Sequence, residues 1–275
     1  MLRYVDSRFP GPPRAAAAAA AAEEEAAAAA AVALQHRSVE RQAEGMARWA
    51  AEMAAAGARK KKGAATGVVA AEGRRLGRRY GELVEVMLEH ARMEERVLFP
   101  VLERTAHRGV CKAANAEHAR DLPMINGIKE DIKSLLVMEA GTPSYQEALV
   151  NLSLRLKTLL EHCKEHFKEE ERELIPLFDA ANRMLREEGN TSSRWAEEVM
   201  RAMEATHSQR LFPFFMAGLL PQEAVQYLDI VCRCIADKHH VVSMLRSLVA
   251  SLEGKHPHSV ISNYSLKSVS KQISF

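Results

Sequence analysis

Apolar residues recur at steps of three and four along most of the chain, a spacing that places them on one face of an α-helix. Four segments carry the pattern, at about 32–56, 68–105, 111–138 and 145–174. Glycine and proline interrupt it at GARKKKGAATG (57–67), at Pro100, which should kink or locally end the second helix, and at AGTPS (140–144). Alternating strand-like runs are absent from the first 255 positions. The sequence therefore predicts an all-α fold.

The helical segments divide the chain into four parts. Residues 1–29 are a low-complexity, alanine-rich N-terminus, which is typical of the start of a long first helix. Residues 30–187 hold the four amphipathic segments, and modest loops between such helices favour a bundle whose core can host a metal. Residues 191–253 form a separate helical extension, with Pro221 in the first turn of a helix that reaches about Leu252. The Ser- and Lys-rich tail at 254–275 is predicted to be disordered.

Charge and cysteine content narrow the class of protein. The net charge is only +2, so the overall charge does not indicate a nucleic acid or a membrane surface as partner. The four cysteines form no C-x-x-C pair, and no signal-peptide pattern precedes them. The longest apolar run, 211–220, is about half of what a bilayer crossing needs. These features predict a protein of the cytoplasm or nucleus.

Two stretches repeat one polar pattern on helices that are otherwise built for packing. HARMEERVLFP begins at His90 and HFKEEERELIP begins at His166. In each, a glutamate follows the histidine by four residues (Glu94 and Glu170), and a second acidic residue, an arginine and a proline come after it. Residues four apart share a helix face, so each pair can direct an imidazole and a carboxylate at one point. The repeat indicates a duplicated helix hairpin.

A duplicated hairpin should also repeat its first helix, and each first helix contains a histidine, His36 in LQHRSVERQ and His118 in AEHARDLPM. Imidazole and carboxylate ligands without thiolates favour iron, manganese or zinc. Four histidines and two carboxylates can surround two such ions, with Glu94 and Glu170 as the natural bridges. Bridging oxide or hydroxide and one open position, for dioxygen or a small anion, would complete the site.

The two motifs resemble the second- and fourth-helix sequences of the hemerythrin family, in its HHE cation-binding branch, over about residues 30–185. The resemblance implies an up-and-down four-helix bundle and a di-iron site. Two departures stand out, because oxygen-carrying members place the last carboxylate five residues after its histidine and have a fifth histidine where Leu122 stands here. Glu171 is thus an alternative to Glu170, and His162 a candidate for an extra ligand or an outer partner. By the resemblance, the metal ligands are His36, His90, Glu94, His118, His166 and Glu170.

The function expected from this pattern is that of a non-haem di-iron protein that binds or senses iron and oxygen, with zinc or manganese as alternative metals. We expect a binding protein rather than an enzyme, although a di-iron oxidase or peroxidase and a metal-free helical scaffold remain alternatives. The segment from Thr206 resembles sequences that follow hemerythrin domains in larger iron-responsive proteins, so the C-terminal helices could bind a protein partner. The remaining histidines, His107, His207, His256 and His258, are interpreted as loop or surface residues.

Overall fold

The described part of this computed structural model comprises residues 14–59, 66–187 and 195–254, and it contains helices and no strand. A π-helical segment, Glu94–Leu98, joins the second and third α-helices and is called the π segment below. The all-α prediction is confirmed. In chain order, the described α-helices are α1 (Arg14–Arg59), α2 (Thr66–Met93), α3 (Phe99–Thr105), α4 (Lys112–Val137), α5 (Pro143–Glu187), α6 (Trp195–Ala202), α7 (Leu211–Met216), α8 (Pro221–Cys234) and α9 (Lys238–Leu252).

The four long helices close a ring around the core. α1 packs against α2 and α5, and α4 packs against the same two helices on its own side. Their apolar faces meet inside, where Leu83, Ile128 and Leu156 are almost completely buried. Burial of one such side chain contributes about 1.5–3 kcal/mol to the free energy of folding. The up-and-down order of the helices stays a prediction.

The alanine-rich stretch is helical from Arg14 onward, so it is the start of the first helix, as the sequence predicted. Its small side chains suit a close helix contact, and Ala27, Ala28 and Ala31 are buried in the core. Residues 1–13, 60–65, 188–194 and 255–275, the last of which is the predicted tail, lie outside the described residues. The prediction of disorder for the tail is therefore not addressed by the structure. Of the interruption predicted at 57–67, the structure describes only the two ends, 57–59 and 66–67, and both are helical.

Three predicted helices have different bounds in the structure. α5 continues to Glu187, well past the predicted end at Leu174. The second predicted helix is divided after Met93, where the N–H of Phe99 donates to the carbonyl of Glu94, five residues back. The helix expected from Pro221 to Leu252 was also wrong as a single element. It is divided because Asp237 caps a new helix, α9. The carboxylate of Asp237 accepts hydrogen bonds from the N–H groups of His239 and His240 in the first turn of α9.

The helices after α5, α6 to α9, are called the extension. They lie against the bundle, with α6, α7 and α8 all contacting α1. Phe212, Phe214 and Phe215 are buried. Arg41 of α1 binds both carboxylate oxygens of Glu223, at 2.5 and 2.9 Å. None of the helices in the described ranges is long and apolar enough to span a bilayer.

Candidate metal centre

The bundle brings the six residues named by the sequence motifs together in its interior. They come from every long helix: α1 provides one, α2 and α4 one each, the π segment one and α5 two. Their ligand atoms form two overlapping groups, and the atoms of each group lie within 4.8 Å of one another. The first group is His36, His90, Glu94 and Glu170, and the second is Glu94, His118, His166 and Glu170.

Both carboxylates belong to both groups, and each turns its two oxygens in different directions. Glu94 Oε1 lies 3.2 Å from His90 Nε2 and 3.5 Å from His36 Nε2, while Oε2 lies 3.3 Å from His118 Nε2. Glu170 Oε2 lies 3.5 Å from His36 Nε2, and Oε1 lies 3.5 Å from His166 Nε2. Each carboxylate thus offers one oxygen to each of the two groups.

Three of the histidines form a hydrogen bond through Nδ1, on the side of the ring away from the two shared carboxylates. This bond leaves Nε2 directed at those carboxylates. Such outer partners orient a metal-binding imidazole and select the tautomer whose other nitrogen has a free lone pair. Two of the partners are carboxylates at the rim of the bundle, and the third is a buried amide. The pairs are His36 with Glu171 (3.1 Å), His118 with Glu95 (3.0 Å) and His90 with Gln35 (2.8 Å).

The inner atoms of the cluster are buried without hydrogen bonds. Within the described residues, this holds for the Nε2 atoms of His36, His90 and His118, for Glu94 Oε2 and for both oxygens of Glu170. An unsatisfied buried polar atom costs about 1–3 kcal/mol, so a set of them is unfavourable in a protein that binds nothing there. Lone pairs converging from imidazoles and carboxylates suit a divalent cation. The residues present therefore fit a metal.

The two carboxylates differ in their electrostatic surroundings. Burial alone would raise the pKa of Glu94, but the neighbouring histidines, His90 foremost, lower it well below its usual value. Burial and the charge of Glu94 raise the pKa of Glu170 well above its usual value. Two close carboxylates without a cation cannot both ionise freely. Without a cation, Glu94 is therefore the more readily ionised of the two carboxyls.

The histidines also differ in the direction of their pKa shifts. Burial lowers the pKa of His166 to about 3 and also lowers that of His90. For His36 and His118, burial also disfavours the charged form, but the negative charge of the nearby carboxylates outweighs it and raises the pKa. The outermost carboxylate of His36, Glu171, therefore matters for its charge state as well as its orientation.

The two departures from the family pattern have defined places in the structure. Glu171 lies behind His36 and outside both groups, whereas Glu170 lies inside both. His162 Nδ1 faces Asp121 at 3.4 Å rather than the cluster. Leu122 is 46% exposed and lines a cavity that reaches the histidines from the surface.

The interpretation of His207 as a loop or surface residue was right about the loop, since it lies in the turns between α6 and α7, and wrong about the surface. His207 is not at the surface but buried, 1% exposed, and its ring bonds the hydroxyl of Tyr227 at 2.9 Å. Tyr227 in turn bonds Gln35, which supports His90. No local motif marks these residues, because the three are ordinary residue types that meet only in the folded chain.

The fold and the cluster define the class: a helical-bundle protein with a histidine and carboxylate cluster that could hold a metal. The sequence model of the hemerythrin HHE cation binding domain matches residues 27–178, and the chain belongs to the hemerythrin family. The matched segment contains all six cluster residues and ends before α6. Among curated proteins and among solved structures, comparison with this chain gives no match.

Proposed function

We propose that the protein binds two iron ions in the cluster and serves as a binding or sensing protein for iron and oxygen. The observation that carries the proposal is the sharing of Glu94 and Glu170 between two groups of buried ligand atoms. If each group held one cation, Glu94 and Glu170 would be available as ligands to both ions. His36 Nε2 lies 3.5 Å from an oxygen of each carboxylate. Iron at such a site supplies reversible redox chemistry and an affinity for dioxygen or small anions.

Iron is favoured over other metals by the ligand types. Imidazole nitrogens and carboxylate oxygens without a thiolate suit iron, with manganese and zinc as the alternatives. Cys111 and Cys163 are buried, but neither belongs to either of the two ligand groups found among the described residues. Softer ions that prefer sulfur would find no such ligand in the cluster.

A surface cavity supports the binding of a small ligand. It has a volume of about 330 Å³, opens between α2, α4 and α5, and reaches His90, His118 and His166. Its walls are mostly apolar, with Leu122 and Ala119 among them. A small molecule entering from solvent would therefore meet the histidine side of the cluster. The chain's own part is to orient the imidazoles through Nδ1 and to shield the cluster with apolar walls.

Anaerobic loading of the purified full chain with ferrous iron tests the proposal. We expect two irons per chain by metal counting, absorption that changes on exposure to air, and recovery of the reduced state after oxygen is removed. Tighter retention of manganese or zinc in competition would contradict the assignment of iron. Continuous oxygen consumption would favour a redox enzyme. Fewer than one bound metal per chain at saturation would indicate a metal-free scaffold.

A further inference from the structure

The extension makes close, specific contacts with the helix that carries His36. Ser38 Oγ donates to the carbonyl of Phe215 at 2.7 Å, and Gln42 Nε2 donates to the carbonyl of Phe214 at 2.6 Å. A Cβ atom at Gly218 would lie 2.6 Å from the carbonyl oxygen of Ser38, so only glycine allows this approach. The extension is thus fitted against α1 within one turn of a candidate ligand.

A separate, buried chain of hydrogen bonds joins the extension to the cluster. Each of its four side chains is at most 2% exposed. The bonds join His90 Nδ1 to Gln35 Oε1 (2.8 Å), Gln35 Nε2 to the Tyr227 hydroxyl (3.4 Å), that hydroxyl to His207 Nε2 (2.9 Å), and His207 Nδ1 to the carbonyl of Met200 (3.0 Å).

The direction of every bond follows from the last one. A carbonyl only accepts, so His207 Nδ1 must carry the hydrogen, and burial, which lowers the pKa of His207 to about 4, keeps the ring neutral with a bare Nε2. The Tyr227 hydroxyl then donates to His207, and its oxygen accepts from the amide NH₂ of Gln35. The amide oxygen is thereby turned toward His90.

An acceptor at this position determines the tautomer of His90. With its hydrogen on Nδ1, the ring presents the Nε2 lone pair to the cluster, as a metal ligand must. A reversed Gln35 amide would donate to Nδ1 and place the hydrogen on Nε2, where it would block a metal. Asn and Gln side chains reverse in this way unless their hydrogen bonds prevent it.

We propose that Tyr227 and His207 of the extension are positioning residues of the metal centre, which hold His90 in its metal-binding tautomer through Gln35. The inference rests on the proposed metal binding and adds that the site is completed by residues outside the family segment at 27–178. Docking of the extension and occupation of the site are then coupled, and linkage requires the coupling to act in both directions.

Removal of one hydroxyl group tests this directly. Tyr227→Phe deletes the bond to Gln35 and keeps the ring, whereas the matched control Tyr80→Phe deletes a buried hydroxyl that donates to the carbonyl of Ile125. We expect Tyr227→Phe to weaken iron binding by about ten- to a hundredfold in chelator competition, the range typical of outer partners. Tyr80→Phe should leave the affinity unchanged.

The tautomer provides a readout that a general loss of stability would not change. Nitrogen-15 spectra of the metal-free chain should show a hydrogen on His90 Nδ1 in the wild type and in Tyr80→Phe, and its loss from Nδ1, at least in part, in Tyr227→Phe. Adding Gln35→Glu to Tyr227→Phe should restore iron affinity, because a carboxylate can only accept from His90. If Tyr227→Phe does not fold, Gln35→Met removes the same acceptor and should give the same change.

Three results separate the outcomes. A wild-type chain that binds no metal overturns the proposed function. A wild-type chain that binds metal no more tightly than Tyr227→Phe, with His90 in the same tautomer, overturns the positioning role alone. Reciprocity gives the third result: iron should slow proteolysis of the extension in the wild type, and equal rates with and without iron would contradict the coupling.

Discussion

The two copies of the histidine motif share six of their eleven residues, with the same polar spacing, and have different structures. After His90, the helix widens into the π segment at Glu94–Leu98 and α3 begins beyond it. After His166, α5 continues as an α-helix through Pro176. Both copies have a proline six residues after the glutamate, so proline alone does not produce the widened turn. The packing around each copy also differs.

The extension contacts the first copy at several points. α6 packs on the π segment. The carboxylate of Glu89, which precedes His90, accepts from the N–H groups of Ala205 and Thr206 at 2.6 and 2.7 Å, and Glu85 pairs with Arg210. α5 has its main contacts with α1, α3 and α4 instead. Equivalent sequence motifs thus form inequivalent halves of one site, because one half is supported from outside the bundle.

The largest expected effect contrasts the two glutamates. In the metal-free chain the charge of Glu94 is stabilised by three histidines, so Glu94→Gln should lower the free energy of unfolding by about 3 kcal/mol, as loss of one partner of a buried ion pair does. The pKa of Glu170 is raised in the folded chain. Its ionisation therefore lowers the stability of the fold as the pH rises above the usual pKa of a glutamate. Glu170→Gln should therefore cause no loss. Denaturant unfolding in the presence of a chelator measures both.

Metal binding should respond differently from stability. Both substitutions should reduce the iron content of the chain to below half, since each removes a shared carboxylate. Glu169→Gln is the control, because Glu169 is exposed and adjacent to Glu170. Equal destabilisation of the metal-free chain by Glu94→Gln and Glu170→Gln would mean that the two copies are electrostatically alike.

A smaller effect concerns acid stability. The pKa of His166 is about 3 in the folded chain, below its ordinary 6.5, so the unfolded chain binds a proton that the folded chain does not. Stability of the metal-free protein should fall as pH drops from 6.5 toward 3, and this one group accounts for about 2–3 kcal/mol by pH 4.5. His166→Gln should remove that part of the pH dependence. Parallel stability curves for the two proteins would contradict it.

Much of this comparison could be predicted from the sequence and some of it could not. Apolar periodicity and the four-residue step from His90 to Glu94 are local patterns, so the helices and the candidate cluster could be predicted from the sequence. The support of His90 was not, because Gln35 and Tyr227 are 192 positions apart. The burial of His207 was missed for the same reason. A residue's neighbours along the helix do not reveal a partner that tertiary packing places beside it.

Helix bounds show the same limit on a smaller scale. Pro100 predicted an interruption at about the right place, but the identical spacing at Pro176 produced none. Proline removes one donor and crowds one carbonyl, and surrounding contacts determine whether the helix tolerates that. Three apolar residues in and after the π segment, Leu98, Phe99 and Leu102, are buried.

The smallest expected effect separates proline from packing as the cause of the π segment. Pro100 and Pro176 are both exposed, so replacing either by alanine leaves the core contacts intact. Pro176→Ala should raise the free energy of unfolding by about 1 kcal/mol, because α5 regains a hydrogen bond to the carbonyl of Arg172 and loses a steric contact. Pro100→Ala should change it by less than about 0.5 kcal/mol, since packing of α6 and the buried residues of α3 keeps the turn widened.

Pro143→Ala is the control for both, because Pro143 opens α5 at a position where its missing N–H would have no intrahelical partner. It should give no gain in the same denaturant experiment. An equal gain from Pro100→Ala and Pro176→Ala would show that the widened turn relaxes to an α-helix once the proline is removed. The π segment would then be a consequence of Pro100, and the contact with the extension would follow the turn rather than cause it.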